Sequence, residues 1–347
     1  MKKDYLWDAS GEPDPEIQGL EQILGGLRYD RPAPDFSRIP SPERRPRGRL
    51  LAWVAATWRP AILVPALAGL VVCMAASWWI LKNRAACDVI SLNGIPRIGS
   101  SHIAENGRLF AGQWLETDAS SRAKINIGQI GQVEVEPNTR IGLIRLGSNE
   151  NRLSLQRGVM HALIWAPPGQ FFVNIPSAVA ADLGCAYTLE VDALGAGLLR
   201  VTTGWVAFMR DGREAFVPAG ALCPTRPGIG PGTPYRSDVS PAFSTALAQL
   251  DFQTGDSANR SAALATALAE AREKDAFSLW HLLSTVGEAE RPALFERLSA
   301  LAPPPEGVTR AGILRHDRRE MDLWWNALGL GDTSWWRIWE RSWPADK

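Results

Sequence analysis

The chain has 347 residues, room for two to three ordinary domains and for a sizeable core. Lys plus Arg and Asp plus Glu both number 37, so no global charge draws it to nucleic acid, and an apolar share of 46% excludes wholesale disorder. Its unusual features are 15 Trp and 25 Pro.

Residues 1–59 form an arm with one expected helix. Asp14-Pro15 resembles an N-cap with Pro at the first helical position, and Ile17, Leu20, Ile23, Leu24 and Leu27 recur at helical spacing. From Arg31 to Arg49 the chain is dense in Pro and Arg and reads as an extended linker. One short helix cannot bury its own apolar stripe. Tyr5, Leu6, Trp7, Ile17, Leu20 and Leu24 are therefore the candidate contacts for a partner, with a loose arm as the alternative.

Residues 60–82 read as a transmembrane helix. Ala61 to Leu81 carry no charge over 21 residues, the length that spans a hydrocarbon core. Trp78-Trp79 closes the stretch, where indoles prefer the headgroup level. The sixty residues ahead of it exclude a cleavable signal peptide. Arg44, Arg45, Arg47, Arg49 and Arg59 precede the stretch and only Lys82 and Arg84 directly follow, which places the arm in the cytoplasm and the remainder outside.

From 88 to 225 the period drops to two. Ala123–Ile127, Val133–Val135, Ile141–Leu146, Leu153–Leu155, Phe171–Ile175, Leu189–Val191 and Trp205–Phe208 read as short strands separated by Gly, Pro, Asn and Asp. Regular short strands without intervening helices predict an all-β sandwich, barrel or solenoid, and Asp211-Gly212 predicts a tight hairpin. Residues 226–240, rich in Gly and Pro, read as a linker that holds no regular element. Beyond it, 241–347 reads as a small all-α, Trp-rich domain, with Phe243, Leu247 and Leu250, Leu264 and Leu268, Leu279 and Leu282, and Leu294 and Leu298 at helical spacing.

Few residues suggest chemistry. The histidines at 102, 161, 281 and 316 show no metal-ligand spacing with cysteine, and nucleotide-loop and hydrolase motifs are lacking, so neither an enzyme nor a metal or cofactor is expected. Six Trp fall in the final 25 residues. Trp335, Trp336, Trp339 and Trp343 are candidates for an interface with a protein, a glycan or the membrane; the alternative is that the tail's indoles staple the terminal helices together.

Phe110–Asp118 followed by Ser120–Ile125, then Leu155-Gln156-Arg157-Gly158-Val159, Val173–Ala180, Val201–Val206 and Pro218-Ala219-Gly220, resemble in order the motifs of FecR-type domains. The resemblance covers roughly Leu109 to Cys223, about a third of the chain. It implies a twisted, solenoid-like β domain on the periplasmic side of a bacterial inner membrane, with the N-terminus cytoplasmic. It also implies signal transduction by protein binding: a sigma factor held at the arm, an envelope protein or glycan sensed outside, and no direct nucleic-acid contact. The alternative is an envelope scaffold that signals nothing. Cys185 stands where the family pattern has Thr, and Cys223 ends the same domain, so a Cys185–Cys223 disulfide and two free buried thiols are both open.

Overall fold

The computed structural model describes residues 85–253 and 257–334. The arm with Tyr5, Leu6, Trp7, Ile17, Leu20 and Leu24, the expected span at 60–82, and Trp335, Trp336, Trp339 and Trp343 lie outside the described residues. Among the described residues no helix is long and apolar enough to cross a membrane. Those residues are mostly β-sheet, followed by a smaller helical region.

The strands are β1 (Ala86–Asn93), β2 (Arg97–Ile98), β3 (Ser101–His102), β4 (Asn106–Phe110), β5 (Trp114–Glu116), β6 (Arg122–Ile127), β7 (Gly131–Val135), β8 (Arg140–Arg145) and β9 (Asn151–Ile164). There follow β10 (Phe171–Ile175), β11 (Ala178–Asp182), β12 (Ala186–Val191), β13 (Gly197–Thr203), β14 (Trp205–Arg210), β15 (Arg213–Pro218), β16 (Ala221–Arg226), β17 (Gly230–Pro231) and β18 (Tyr235–Arg236). The helices are α1 (Pro241–Phe252), α2 (Ser257–Glu270), α3 (Ala276–Thr285), α4 (Arg291–Leu301), α5 (Arg310–Leu314) and α6 (Arg318–Ala327).

The strands form two layers. The first runs β4-β1-β6-β7-β9-β12-β13-β16, with β17 and β18 added on β16. The second runs β3-β2-β5-β8-β9-β10-β11-β14-β15. Alternation drives this: Ala123, Ile125 and Ile127 of β6 are buried while Lys124 and Asn126 between them are half-buried, and Val133 and Val135 repeat the pattern on β7. Strand β9 belongs to both layers. Its first half pairs with β8 and, in parallel, with β10; its second half pairs with β7 and β12. The change of layer falls at Gly158, whose φ of +97° belongs to the left-handed region. A Cβ there would lie 2.2 Å from Thr139 Oγ1, which accepts from the Val159 N–H at 2.9 Å.

Register also defines the two ends of the first layer. Ala86 lies opposite Phe110, Gly131 opposite Ile164, and Ala186 opposite both Leu163 and Thr203, so these positions share one end. The turns that follow β1 and β12, with Ile95 and Leu194, lie at the other.

Helices cover the outer face of the second layer. Val206 and Phe208 of β14 point inward, yet Ala207 between them is also fully buried, as is Phe216 opposite it on β15. Every residue of α3 from Ala276 to Leu283 is buried. Trp324 and Trp325 of α6 are fully buried, Trp325 with its ring 4.9 Å from Trp280 and 6.0 Å from Phe216. These two indoles pack α6 against its neighbours, Trp324 against Phe295 of α4 and Trp325 against Trp280 of α3; the later Trp residues of the same reading lie outside the described residues. Strands and helices share one continuous hydrophobic core.

One expectation needs correction and one open alternative is resolved. Residues 226–240 do hold regular structure: Gly230–Pro231 and Tyr235–Arg236 pair with β16, because Pro231 and Pro234 sit where a sheet edge asks for no further N–H donor. Of the two alternatives left open for Cys185 and Cys223, the structure has the free buried thiols. Cys223 lies opposite Leu199, which lies opposite Leu189, four residues along from Cys185. Two strand spacings across and four residues along put their backbones on the order of 15 Å apart, about twice the reach of a disulfide. Each thiol has its own acceptor instead: Cys185 donates to Asp182 Oδ2 at 2.8 Å and Cys223 to the Gly232 carbonyl at 3.3 Å.

Candidate functional site

The hairpin expected at Asp211-Gly212 is present, with both residues at positive φ, as a two-residue turn of the I′ kind requires. It carries Arg210 and Arg213 to the rim of a cleft of about 780 Å³ between the outer face of the second layer and the helices. Val179, Met209 and Phe216 line the sheet side of it. Trp280, His281 and Ser284 of α3, with His316 and Met321, line the helical side.

His281 joins the two sides. The Phe216 backbone N–H donates to its Nε2 at 3.0 Å, and its Nδ1 lies 2.8 Å from the Phe277 carbonyl. A carbonyl only accepts and an N–H only donates, so the proton sits on Nδ1 and the imidazole is neutral. Burial fixes the same state by pushing its pKa down to about 4, against which the Phe277 carbonyl pulls only partly. A sheet-edge donor is thus satisfied by a helix side chain 65 residues away.

A second clamp lies at the base of the cleft. Asp251 of α1 accepts from the Thr233 N–H at 2.6 Å and from the Thr233 hydroxyl at 3.0 Å, which fixes the strand segment Pro231–Thr233 at the cleft wall. Burial raises the Asp251 pKa to about 6, opposed by the two Thr233 hydrogen bonds and the charges of Arg213 and Arg260.

His316 also lines the cleft. Its φ is +62°, and its Nε2 lies 2.9 Å from Ser284 Oγ. Burial and the charge of Arg291 lower its pKa, so the neutral ring predominates near neutral pH. A Ser–His pair invites a hydrolytic reading. Ser284, however, sits on the last turn of α3, where carbonyls rather than N–H groups lack helical partners, and that field opposes a developing oxyanion. The arrangement suits recognition: a methionine on each side, an arginine-bearing hairpin on one lip and a hydroxyl–imidazole pair across from it. Among the described residues no group of three His, Cys, Asp or Glu could hold a metal ion.

The structure therefore brings together residues that sequence reading left apart. Cys185 and Cys223 are both buried away from the cleft lining, and the six arm residues and four terminal Trp lie outside the described residues. Of the cleft, only the hairpin at Asp211-Gly212 had a local signal.

No protein-family model matches the chain, and no curated protein matches it significantly. Among solved structures, two crystal structures of a putative anti-sigma factor from Parabacteroides distasonis are similar to it at a TM-score of 0.32 and 13% identity. In each the match covers 39% of this chain and 64% of the other, so the chain spans less than two-thirds of the proteins it matches.

Proposed function

We propose that this chain is a single-pass, membrane-anchored regulator that works by binding proteins on both sides of a bacterial inner membrane. The outer cleft takes a segment of an envelope protein, and the arm holds a sigma factor through Tyr5, Leu6, Trp7, Ile17, Leu20 and Leu24. The reading is supported by the ordered FecR-type motifs in the sequence and, above all, by a cleft whose His281 and Asp251 are spent on holding strand to helix. Groups so committed favour a binding surface over a reaction centre.

The test is a crosslinking pull-down from membranes with the full chain, the chain lacking residues 1–27, and a Met209→Glu variant that puts charge on the sheet side of the cleft. Recovery of a sigma factor only with the arm, and loss of an envelope protein with Met209→Glu, are expected. Equal recovery of the same envelope proteins from all three, with no sigma factor, would replace the regulator by a scaffold.

A further inference from the structure

We infer that the protein segment taken by the cleft is acidic, and that it leaves the cleft along the outer face of the second layer between two clusters of arginines. This deepens the proposed function and rests on its reading of the cleft as a protein-binding site.

The first argument is register. Val179 and Met209, on the sheet side of the cleft, lie opposite each other on β11 and β14. The same row continues away from the cleft: Val179 lies opposite Asn174 on β10, Asn174 opposite Ser154 on β9, Ser154 opposite Gly142 on β8, and Gly142 opposite Trp114 on β5. Ile141, Leu143, Leu153, Leu155 and Val173, which alternate with these residues, are buried, so the row faces away from the sandwich core. Asn174, Ser154 and Gly142 make a lane of small side chains, closed at its far end by the Trp114 ring, which a Cβ on Gly142 would meet at 3.0 Å. From Met209 to Gly142 the lane crosses four strand spacings, about 19 Å, the length of roughly six extended residues.

The second argument is charge. Across β8 and β9, Arg140 lies opposite Arg157 and Arg145 opposite Arg152, with Gly142 and Ser154 between the two pairs. Like charges set opposite each other weaken a sheet, and here one carboxylate on each side of the lane offsets them only in part. Glu116 pairs with Arg97 at 2.5 Å and Arg140 at 3.4 Å. The Arg97 hydrogen bond holds it below the usual carboxylate range against desolvation, and the charges of Arg140 and Arg157 add to that. Glu150 pairs with Arg152 at 2.7 Å and Arg145 at 3.4 Å. Asp118, two residues beyond Glu116, accepts instead from the Ser120 N–H and hydroxyl. The Arg140 and Arg152 guanidiniums lie 4.8 Å and 4.6 Å from the Trp114 and Phe172 rings, which orients them before any carboxylate arrives. A straight lane with cations on both sides, leading to a cleft walled by Val179, Met209 and Phe216, suits an extended chain with acids along it and an apolar residue toward one end.

The probe is a degenerate library of free peptides of about nine residues, long enough for lane and cleft together. It is passed over the full chain in mild detergent, and bound peptides are read by mass spectrometry. Asp and Glu are expected to be enriched several-fold over the input, and Met209→Glu is expected to lower capture of the same peptides. Arg145→Glu with Arg157→Glu, at two exposed positions, is expected to turn the preference toward Lys and Arg, a reversal that loss of folding does not produce. Acidic enrichment retained in that double variant, or capture unchanged by Met209→Glu, would overturn this inference. So would displacement of the peptides by vesicles of phosphatidylglycerol and phosphatidylcholine, which would assign the arginines to lipid headgroups. Peptides captured without charge preference would overturn it and leave the cleft a protein-binding site. No capture above that of bare resin would overturn that reading of the cleft and this inference together.

Discussion

His316 is the residue whose backbone and side chain ask for different things. The Asp317 N–H donates to the Gly312 carbonyl and the His316 N–H to that of Ile313, the paired bonds of a Schellman closure of α5. That closure normally places glycine at the left-handed position, and an L residue there costs about 1–2 kcal/mol. Ser284 is what the imidazole gains in return, at the mouth of the cleft. His316→Gly is therefore expected to leave stability in urea unchanged or raised by up to about 1 kcal/mol, while weakening capture of the partner proposed for the cleft. A loss of more than about 2 kcal/mol would assign His316 to the fold instead.

Among the elements, β9 decides the architecture. Its two halves lie in different layers, and the turn between them needs both the positive φ and the missing side chain of Gly158. Gly158→Ala is expected to cost at least about 2 kcal/mol in urea denaturation, because strain and a clash with Thr139 add. A neutral result would mean that β9 can change layers by another path. The strands with a buried and a solvated face were legible: Phe171–Ile175 is observed with the bounds read from its pattern, and Ala123–Ile127 within one residue. The two-residue strands β17 and β18 were not, since Gly and Pro carry no alternation and pairing there depends on β16 offering an edge. Helix spacing was legible for the same reason as the long strands: Phe243, Leu247, Leu294 and Leu298 each repeat on one face, and all are buried.

The cleft was illegible because it is a property of the whole molecule. Phe216 carries no mark that its N–H will meet His281, and a lone histidine in an apolar helix gives no hint of its acceptor. The same buried groups set the pH dependence of stability. Burial raises Asp182 to about 7, against the hydrogen bonds from Cys185 and Gly184, so the native state holds a proton that the unfolded chain releases near 3.8. Its contribution is lost as pH rises through that window, and Asp251 acts alike up to about 6. His281 acts in the opposite sense: neutral in the fold down to about 4, it withdraws stability as pH falls below 6.5. Above 6.5, Asp182 is the one of these three still titrating. Asp182→Asn is thus expected to flatten the decline in urea midpoint between about pH 6.5 and 8, and parallel profiles for the two proteins would refute the assignment.

The winding of the strands has a further consequence, in the order of assembly. Strands β1, β4, β6 and β7 begin their layer with partners close in sequence, and each later strand is laid on one already made, β10 on β9 and β14 on β11. Contacts of short sequence reach form early, so the sandwich can build from its N-terminal strands onward as the chain is made. The imidazole that caps Phe216 arrives 65 residues after it. Until then the second layer presents an apolar face with a donor at its edge, and the cleft is the last part of the protein to exist. Whatever the cleft binds can be captured only once synthesis is nearly finished.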